Sequence, residues 1–195
     1  MAHGSAAVIA TANPDLVLRR LVPAEPDWRL MARWLSDPRI LEWWEGRDKP
    51  YDYERAAAKW SAAEIAQGHL DCRIMELAGS PIGYLQFFPV AKAEDYELDT
   101  AENTWGIDLF IGEPGYWEQG HGTVVVRAVV EHLLGNGAAR VVIDPRVDNP
   151  RAIRTYEKVG FHKVKVLKEH EDHEGAKRDN WLMEIVAPIS PGRPQ

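Results

Sequence analysis

The sequence is poor in cysteine and has no long apolar run. Cys72 is its single cysteine, so no disulfide can form within the chain. No pattern of histidine with asparagine or aspartate accompanies it, and its strand-like surroundings predict a buried thiol rather than a nucleophile. No stretch reaches the roughly 18 apolar residues of a membrane span, and the Ala-rich start lacks the basic and apolar blocks of a secretory signal. We therefore expect a cytoplasmic protein that folds without disulfides.

The sequence also has fewer basic than acidic residues. The chain has 30 acidic and 23 basic residues and a net charge of −7, and it contains neither a basic patch nor a nucleic-acid recognition motif. Because an acidic protein repels phosphate backbones, we expect no nucleic-acid partner and favour a cationic ligand. Five carboxylates lie close together with only Lys92 nearby, and they form either a solvated loop or an acidic wall for a polycation. They are Glu94, Asp95, Glu97, Asp99 and Glu102.

The chain lacks internal repeats and reads as one domain. Strand and helix patterns follow in the order β-α-α-α-β-β-β-α-β-α-β-β, which includes one βαβ crossover. This order predicts the α/β (α+β) class, in which helices cover a mostly antiparallel mixed sheet. We expect the domain to span residues 14–187 between flexible tails at 1–13 and 188–195, the second of which holds a cluster of prolines.

Several segments carry strong local signals. Thr104–Ile111 alternates as a strand, which places Asp108 on the face opposite the aliphatic side chains. Residues 123–136 have the clearest helical stripe, rich in valine and leucine. Arg140–Ile143 reads as a short buried strand, and the Ala-rich residues 53–67 predict a single helix.

A glycine-bearing loop joins the strand that carries Asp108 to the Val-rich helix. Its sequence is Gly120-His-Gly122-Thr123. Glycines allow close approach to backbone N–H groups, and a helix N-terminus is electropositive, so the loop predicts a pocket for a diphosphate. A tight turn would explain the glycines equally simply. The Lys-Ser/Thr of a Walker loop and the third glycine of a dinucleotide fingerprint are both absent.

A second segment lies one predicted strand after the glycine loop and makes a functional interpretation of that loop more specific. It reads Asn149-x-x-Ala152-x-x-x-Tyr156-Glu-Lys-x-Gly160-Phe161, with Asn149 as a helix cap. This pattern resembles the signature of the GNAT superfamily of N-acetyltransferases, and the preceding loop resembles the superfamily's coenzyme A pyrophosphate loop. The resemblance implies the GNAT fold, with a mostly antiparallel mixed sheet of about seven strands, and acetyl-CoA as the cofactor.

Within that superfamily the chain is most similar to the bacterial aminoglycoside 6'-N-acetyltransferases. The resemblance runs from about residue 16 to residue 185. It implies an acetyl transfer, by direct attack in a ternary complex, to an amine of a small cationic acceptor. The matching stretches are residues 41–46, 81–86, 106–108, 120–123, 144–154 and 156–161.

The resemblance assigns two catalytic roles. It places Asp108 at the acceptor amine, where the carboxylate would bind the ammonium and accept its proton. It places Tyr156 at the sulfur of coenzyme A, as the general acid for the leaving thiolate. A structural aspartate and a tyrosine packed in the core are the competing interpretations of the two residues.

The resemblance also implies a set of cofactor contacts. The strand would contribute an N–H, from Leu109, that polarises the thioester carbonyl. Trp117 stands where the superfamily loop begins with Gln or Arg, so the cation for the phosphates is expected from Arg127 or Arg154. The implied cofactor-binding residues are Leu109, Phe110, Ile111, Gln119, Gly120, His121, Gly122, Thr123, Asn149, Ala152 and Arg154.

The acceptor site carries over in the same way. Sugar rings stack on tryptophans and ammonium groups sit over them, although core packing explains two adjacent tryptophans equally well. The implied acceptor-binding residues are Glu42, Trp43, Trp44, Gln86, Asp108 and Asp144.

Other functions remain open at this stage. The same chemistry could act on another amine, such as a polyamine, or on a siderophore hydroxylamine, and a catalytically silent acyl-CoA-binding module is a third interpretation. We expect His170 and His173 at the surface and no metal site, because His170-x-x-His173 lacks a third ligand. Both a monomer and a homodimer fit the sequence.

Overall fold

The computed structural model describes residues 7–188, which form one mixed sheet with helices on both faces. None of the helices in this range is long and apolar enough to cross a membrane. The strands are β1 (Val8–Ala10), β2 (Leu16–Arg20), β3 (Asp71–Leu77), β4 (Ser80–Pro89), β5 (Thr104–Ile111), β6 (Arg140–Ile143), β7 (His162–His173) and β8 (Ala176–Val186). The helices are α1 (Asp27–Trp34), α2 (Pro38–Leu41), α3 (Tyr53–Lys59), α4 (Ala62–Gln67), α5 (His121–Gly135) and α6 (Pro150–Val159).

The sheet has the strand order β1-β2-β3-β4-β5-β6-β8-β7. All neighbours are antiparallel except β5 and β6, which are parallel and are joined by the crossover helix α5. This parallel pair extends only from Thr104 and Arg140 to Gly106 and Val142. Beyond that point β5 continues to Ile111 without β6 beside it, so the sheet opens between the two strands.

Each face of the sheet has its own core. The face covered by α5 and α6 buries Ile107 together with the predicted stripe of α5, from Val126 to Leu133. The opposite face is covered by α1–α4 and buries an aromatic set that includes Trp34 and Phe110. Strand alternation therefore sends neighbouring β5 residues into different cores, as the sequence predicts.

The signals at β5, β6 and α6 are confirmed. Both strands have the predicted bounds. At α6, Asn149 Oδ1 accepts a hydrogen bond from the Ala152 N–H at 3.1 Å, Pro150 is the first helical residue, and Gly160 ends the helix with a φ of +118°. These caps satisfy backbone groups that a helix end leaves unpaired.

The predicted helix over residues 53–67 is instead two short helices, α3 and α4. Trp60 interrupts the pattern because its ring is buried and its Nε1–H donates to the Tyr84 hydroxyl at 2.9 Å. Ser61 then caps α4, accepting a hydrogen bond from the Glu64 N–H at 3.3 Å. A tertiary contact thus outweighs the helix propensity of the alanines.

Part of the predicted N-terminal tail belongs to the sheet. Val8–Ala10 pairs with β2, Ile9 opposite Leu18, and Ile9 is buried in the core. The described residues therefore contain eight strands rather than about seven. A strand of three residues with one buried side chain is too short for an alternation pattern to reveal it. Residues 1–6 and 189–195, the outer parts of the predicted tails, lie outside the described range.

Gly112, directly after β5, should not tolerate a side chain. A Cβ at this position would lie 2.3 Å from Cδ2 of the buried Trp34 ring. We expect Gly112→Ala to lower the free energy of unfolding by about 1–3 kcal/mol, measured by urea denaturation, because an overfilled core must shift. Gly115→Ala is the matched control, since an added Cβ there has no neighbour within 4 Å. Equal unfolding midpoints for the two variants would contradict the prediction.

Candidate active site

A cleft of about 620 Å³ opens where β5 and β6 diverge. It gathers side chains from the strands, from the segment after α2, and from the starts of α5 and α6. Most of the predicted site residues line it. These are Trp43, Trp44, Gln86, Asp108, Leu109, Phe110, Ile111, Gly120, His121, Gly122, Thr123, Asp144, Asn149, Ala152 and Tyr156.

Three predicted site residues do not line the cleft. Glu42 presents only its backbone carbonyl, which accepts a hydrogen bond from Arg146 Nη1 at 3.0 Å. The exposed Gln119 side chain bonds back to the Gly115 carbonyl at 2.6 Å. Arg154 is exposed on α6, whose cleft-facing side is formed instead by Arg151, Ala152, Thr155 and Tyr156. At 100° per residue, Arg154 falls outside that side of the helix.

Asp108 lies on β5 directly opposite Gln86 of β4. Gln86 Nε2 donates a hydrogen bond to Asp108 Oδ2 at 2.7 Å. Burial, reinforced by the negative charge of Asp144, raises the pKa of Asp108 to about 7, against the opposing effect of the Gln86 hydrogen bond. A carboxyl that titrates near neutral pH can both bind a proton and release it during turnover.

Asp144 follows the last residue of β6 and is held from two sides. Asn180 Nδ2 donates to the Asp144 carbonyl at 2.7 Å, and His170 Nε2 lies 3.2 Å from Asp144 Oδ2. The hydrogen bond to Asp144 raises the pKa of His170. His170 is exposed, as predicted, and both it and Glu171 line the cleft. The predicted surface position of His173 is wrong, because this side chain is buried, with Nδ1 3.2 Å from Glu171 Oε1.

Three carboxylates of the cleft influence one another and are called here the acidic cluster: Asp108, Asp144 and Glu171. The charges of both Asp144 and Glu171 raise the pKa of Asp108. Asn180, another cleft residue, bridges the other two members, since its Nδ2 also lies 3.5 Å from Glu171 Oε2. The cleft therefore holds concentrated negative potential at the position predicted for a cationic acceptor.

The acidic segment at residues 94–102 contributes no carboxylate to the cleft lining. Lys165 of β7 forms an ion pair with Glu97 at 3.1 Å, which fixes the segment to the hairpin. Tyr96 packs toward the interior, with its ring 6.0 Å from the His170 ring. Of the two interpretations, an acidic wall at residues 94–102 receives no support. The carboxylates that line the cleft are instead Glu45, Asp108, Glu118, Asp144, Glu171 and Asp172.

Trp43 and Trp44 line the cleft and are half-buried. The Trp44 ring makes an edge-on contact with Phe110 at 5.0 Å, and its buried Nε1–H has no hydrogen-bond partner among residues 7–188. The guanidinium of Arg146 lies 5.0 Å from the centre of the Trp43 ring. The two tryptophans thus combine packing with a cleft-lining position, so both sequence interpretations apply.

The glycine loop has the conformation expected of an anion pocket. Gly120 caps α5 with a φ of +84°, a value that favours glycine. The first N–H groups of α5 have no partner within the helix and give its N-terminus positive character. A Cβ on Gly122 would lie 3.4 Å from the Thr155 methyl group, so the starts of α5 and α6 approach closely. A diphosphate fits this electropositive junction.

Arg151 supplies the positive side chain in this part of the cleft. Its guanidinium lies 4.2 Å from the centre of the Trp117 ring, and both side chains line the cleft. Trp117 Nε1 donates to the Ile111 carbonyl at 2.8 Å, which fixes the ring at the end of β5. The expected cations Arg127 and Arg154 do not line the cleft. The sequence analysis missed Arg151, because the motif residues Ala152 and Tyr156 do not by themselves show which neighbouring arginine of α6 faces the cleft.

Tyr156 lies on α6, buried at the cleft and 6.1 Å ring to ring from Phe161. Burial, with the charges of Asp108 and Asp144, raises the pKa of Tyr156 well above its ordinary value. The phenol is therefore protonated at neutral pH and can act as a proton donor. Within residues 7–188, no group of three or more His, Cys, Asp and Glu side chains could hold a metal ion.

Comparison with known proteins agrees with this geometry. The family described as "Acetyltransferase (GNAT) domain" matches residues 24–168. The chain belongs to the GNAT acetyltransferase family. As a GNAT enzyme it uses acetyl-CoA, and the glycine loop, Asn149 and the start of α6 are the parts of the cleft that fit this cofactor.

The relatives of this GNAT enzyme include known acetyltransferases. The aminoglycoside N(6')-acetyltransferase type 1 of Klebsiella pneumoniae is 31% identical over 159 residues, which cover 80% of this chain and 78% of that protein. The N(6)-hydroxylysine O-acetyltransferase of Escherichia coli is 27% identical over 159 residues, covering 75% of this chain but 46% of that protein. The crystal structure of the aminoglycoside acetyltransferase AAC(6')-Ib with coenzyme A and kanamycin superposes with a TM-score of 0.74 at 27% identity, covering 88% of this chain and 94% of that one.

We expect Asp108→Asn to stabilise the GNAT domain at alkaline pH. The Asp108 pKa of about 7 in the folded chain exceeds its ordinary value of 3.8, so ionisation of this carboxyl removes stability as the pH rises from about 4 to about 7. The variant has no charge to bury. Its free energy of unfolding in urea should exceed that of the wild type by on the order of 1 kcal/mol or more at pH 8 and approach it near pH 4.

Asp179→Asn is the control with the opposite sign. Its exposed carboxylate accepts hydrogen bonds from Lys168 at 2.7 Å and from the Glu169 N–H at 3.0 Å, and the Lys168 bond lowers the Asp179 pKa. This variant should lose stability at pH 8 relative to pH 4. An Asp108→Asn variant that gains nothing at pH 8 would contradict the raised pKa of Asp108.

Proposed function

We propose that this enzyme transfers the acetyl group of acetyl-CoA to an aminoglycoside, at the 6'-amine, by direct attack in a ternary complex. The observation that carries the proposal is the cleft itself, in which the acidic cluster and Tyr156 lie beside the glycine loop. An aminoglycoside carries several ammonium groups, which match this concentration of carboxylates. The 31% identity to an aminoglycoside N(6')-acetyltransferase supports the same acceptor class.

Asp108 is proposed as the general base. The acceptor amine arrives as an ammonium ion and must lose a proton before it can attack the thioester. A carboxylate with a pKa of about 7 holds that proton more firmly than an ordinary aspartate, so proton transfer from the ammonium costs less. The Gln86 hydrogen bond occupies Oδ2, which leaves Oδ1 for the acceptor.

Tyr156 is proposed as the general acid, and β5 as the source of the N–H that polarises the carbonyl. Bound acetyl-CoA supplies the acetyl group as an activated thioester. The backbone of β5 beyond Gly106 has no strand beside it on the β6 side, so the Leu109 N–H is a candidate donor to the developing oxyanion. Tyr156 lines the same cleft with its phenol protonated and can deliver a proton to the departing thiolate.

The rest of the acceptor site is proposed to recognise charge and ring shape. Asp144 and Glu171 would attract further ammonium groups of the acceptor. Trp44 would contribute its ring edge and a buried N–H that has no partner among residues 7–188. Trp43 would contribute its ring, against which the Arg146 guanidinium lies. We place the reaction in the cytoplasm because it consumes acetyl-CoA. We also propose that the chain folds as a single domain, which includes β1.

The test is a panel assay of thiol release from acetyl-CoA with kanamycin, tobramycin, gentamicin, spermidine and N(6)-hydroxylysine. We expect turnover with kanamycin and tobramycin, and a product acetylated at the 6'-amine by NMR. Asp108→Asn should lower kcat by about 10²- to 10⁴-fold and leave acetyl-CoA binding, measured by calorimetry, unchanged. Turnover with the polyamine or the hydroxylamine alone would reassign the acceptor class. An Asp108→Asn enzyme with wild-type kcat would remove the base.

Arg151 and Arg154 provide a matched pair for the cofactor. We expect Arg151→Ala to raise the Kd of coenzyme A by about 10-fold or more, because a charged hydrogen-bond donor contributes about 1.5–3 kcal/mol. Arg154→Ala, on the same helix but exposed and outside the cleft, should have a much smaller effect. Calorimetric titration with coenzyme A checks both variants. A larger loss for Arg154→Ala would return the cofactor contact to the residue that the sequence predicts.

A further inference from the structure

A chain of buried hydrogen bonds runs from the aromatic core to Asp108. Tyr84 of β4 is fully buried among the rings of Trp44, Trp60 and Phe110, whose centres lie 5.6–6.1 Å from its own. It does not line the cleft. Its hydroxyl nevertheless contacts Trp60 Nε1 at 2.9 Å, Gln86 Oε1 at 2.7 Å and Cys72 Sγ at 3.0 Å. A hydroxyl with three polar contacts in an apolar core is costly unless each contact is satisfied.

The chemistry of the donors fixes the direction of these bonds. An indole N–H can only donate, so the Tyr84 oxygen accepts from Trp60. The single phenol proton then goes to Gln86, the shorter of the two remaining contacts, and the Cys72 thiol can donate to the Tyr84 oxygen. All three polar contacts of the hydroxyl are thereby used once each.

This order also fixes the Gln86 amide. The two ends of a glutamine amide are ordinarily hard to distinguish, and the hydrogen-bond network decides between them. Here the ionised Asp108 carboxylate can only accept, so Nε2 faces Asp108, 2.7 Å from Oδ2, and Oε1 faces the Tyr84 hydroxyl, whose proton it accepts. Tyr84 pairs with Phe110, and Gln86 with Asp108, across the β4–β5 register, so the relay lies on a rigid scaffold.

We propose that Tyr84, with Trp60 behind it, is a positioning residue for Asp108: it holds the Gln86 amide so that Nε2 binds one carboxylate oxygen and the other oxygen stays directed to the acceptor. The inference rests on the proposed role of Asp108 as the base. Without the Tyr84 hydroxyl the amide is free to rotate, and its Oε1 could then oppose the carboxylate. The Asp108 carboxylate would lose both its orientation and a stabilising donor.

Other charged and titratable groups also influence Asp108. The charge of Asp144 and, more weakly, that of Glu171 raise its pKa, and Lys59 and the Gln86 hydrogen bond lower it. Substitution of Tyr84 leaves the other groups in place and removes the support of the Gln86 bond alone, so the pKa of Asp108 should rise. The groups on the neighbouring elements are Lys59 (α3), Tyr84 (β4), Tyr96, Asp144, Tyr156 (α6) and Glu171 (β7).

The test follows the Asp108 carboxyl directly. Its ¹³C signal, assigned by its absence from Asp108→Asn, is titrated in the wild type and in Tyr84→Phe. We expect the Asp108 pKa to rise by about half a unit to one unit, the equivalent of one lost hydrogen bond. The acid limb of the kcat/KM profile should move by the same amount, with kcat lower by about 2- to 5-fold at pH 7, recovery at pH 9, and an unchanged KM for acetyl-CoA.

Tyr51→Phe is the matched control. Tyr51 belongs to the same aromatic core, 5.6 Å ring to ring from Trp60, but its hydroxyl donates to Glu45 at 2.7 Å. The Tyr51→Phe variant loses a buried hydroxyl that does not contact Gln86. Its free energy of unfolding in urea should therefore fall, while the pKa of Asp108 should stay unchanged. An equal shift of the Asp108 pKa in both tyrosine variants would overturn the proposal.

A double-mutant cycle tests whether Tyr84 acts through Gln86. In a Gln86→Leu background, Tyr84→Phe should produce no further shift of the Asp108 pKa. A full additional shift would show that Tyr84 acts by another route, and the absence of a shift in the single variant would refute the proposal outright. Gln86→Leu alone should reproduce the shift if Tyr84→Phe does not fold. A ¹³C shift without any change in turnover would keep the positioning role and remove Asp108 as the base.

Discussion

The divergence of β5 and β6 is the constraint on which the rest of the molecule depends. The two strands pair for three residues each, and β6 then ends before Pro145, which has no N–H with which to continue a ladder. At the point of divergence a Cβ on Gly106 would lie 2.6 Å from the Phe88 ring, so any larger residue there requires the ring to move. The opening between the strands creates the cleft. The part of β5 that pairs with β4 but not with β6 carries Asp108 along the wall of this cleft.

Asp108 stands where two requirements conflict. Burial and the neighbouring charge of Asp144 oppose its ionisation, while the Gln86 hydrogen bond favours it. A fold selected for stability alone would place an asparagine or an apolar residue here, because an uncompensated buried charge is expensive. The balance leaves the carboxyl titrating near pH 7, which is the range in which a base is useful. The fold therefore gives up stability at the position that we propose for the general base.

Local sequence signals predicted β5, β6 and the caps of α6 correctly. Strand alternation and the capping residues Asn149 and Gly160 depend only on neighbours within a few positions along the chain. Tertiary contacts decided the rest. Trp60 divides a predicted helix because its indole bonds to a tyrosine 24 residues away. Arg151 rather than Arg154 lines the cleft, and the motif alone does not show how α6 is rotated. The link between His170 and Asp144 spans two strands and has no local signature.

The net charge of −7 poses opposite problems for the two substrates. A cationic acceptor is attracted by the whole molecule and by the acidic cluster in particular. Coenzyme A, a polyanion, is repelled at long range, so its site must rely on short-range donors. The α5 N-terminus provides backbone N–H groups whose position is fixed by the helix. Arg151, whose guanidinium lies 4.2 Å from the centre of the Trp117 ring, is the cation that we propose for the same site. An acidic enzyme can bind both substrates in one cleft because the attraction for one is diffuse and that for the other is local.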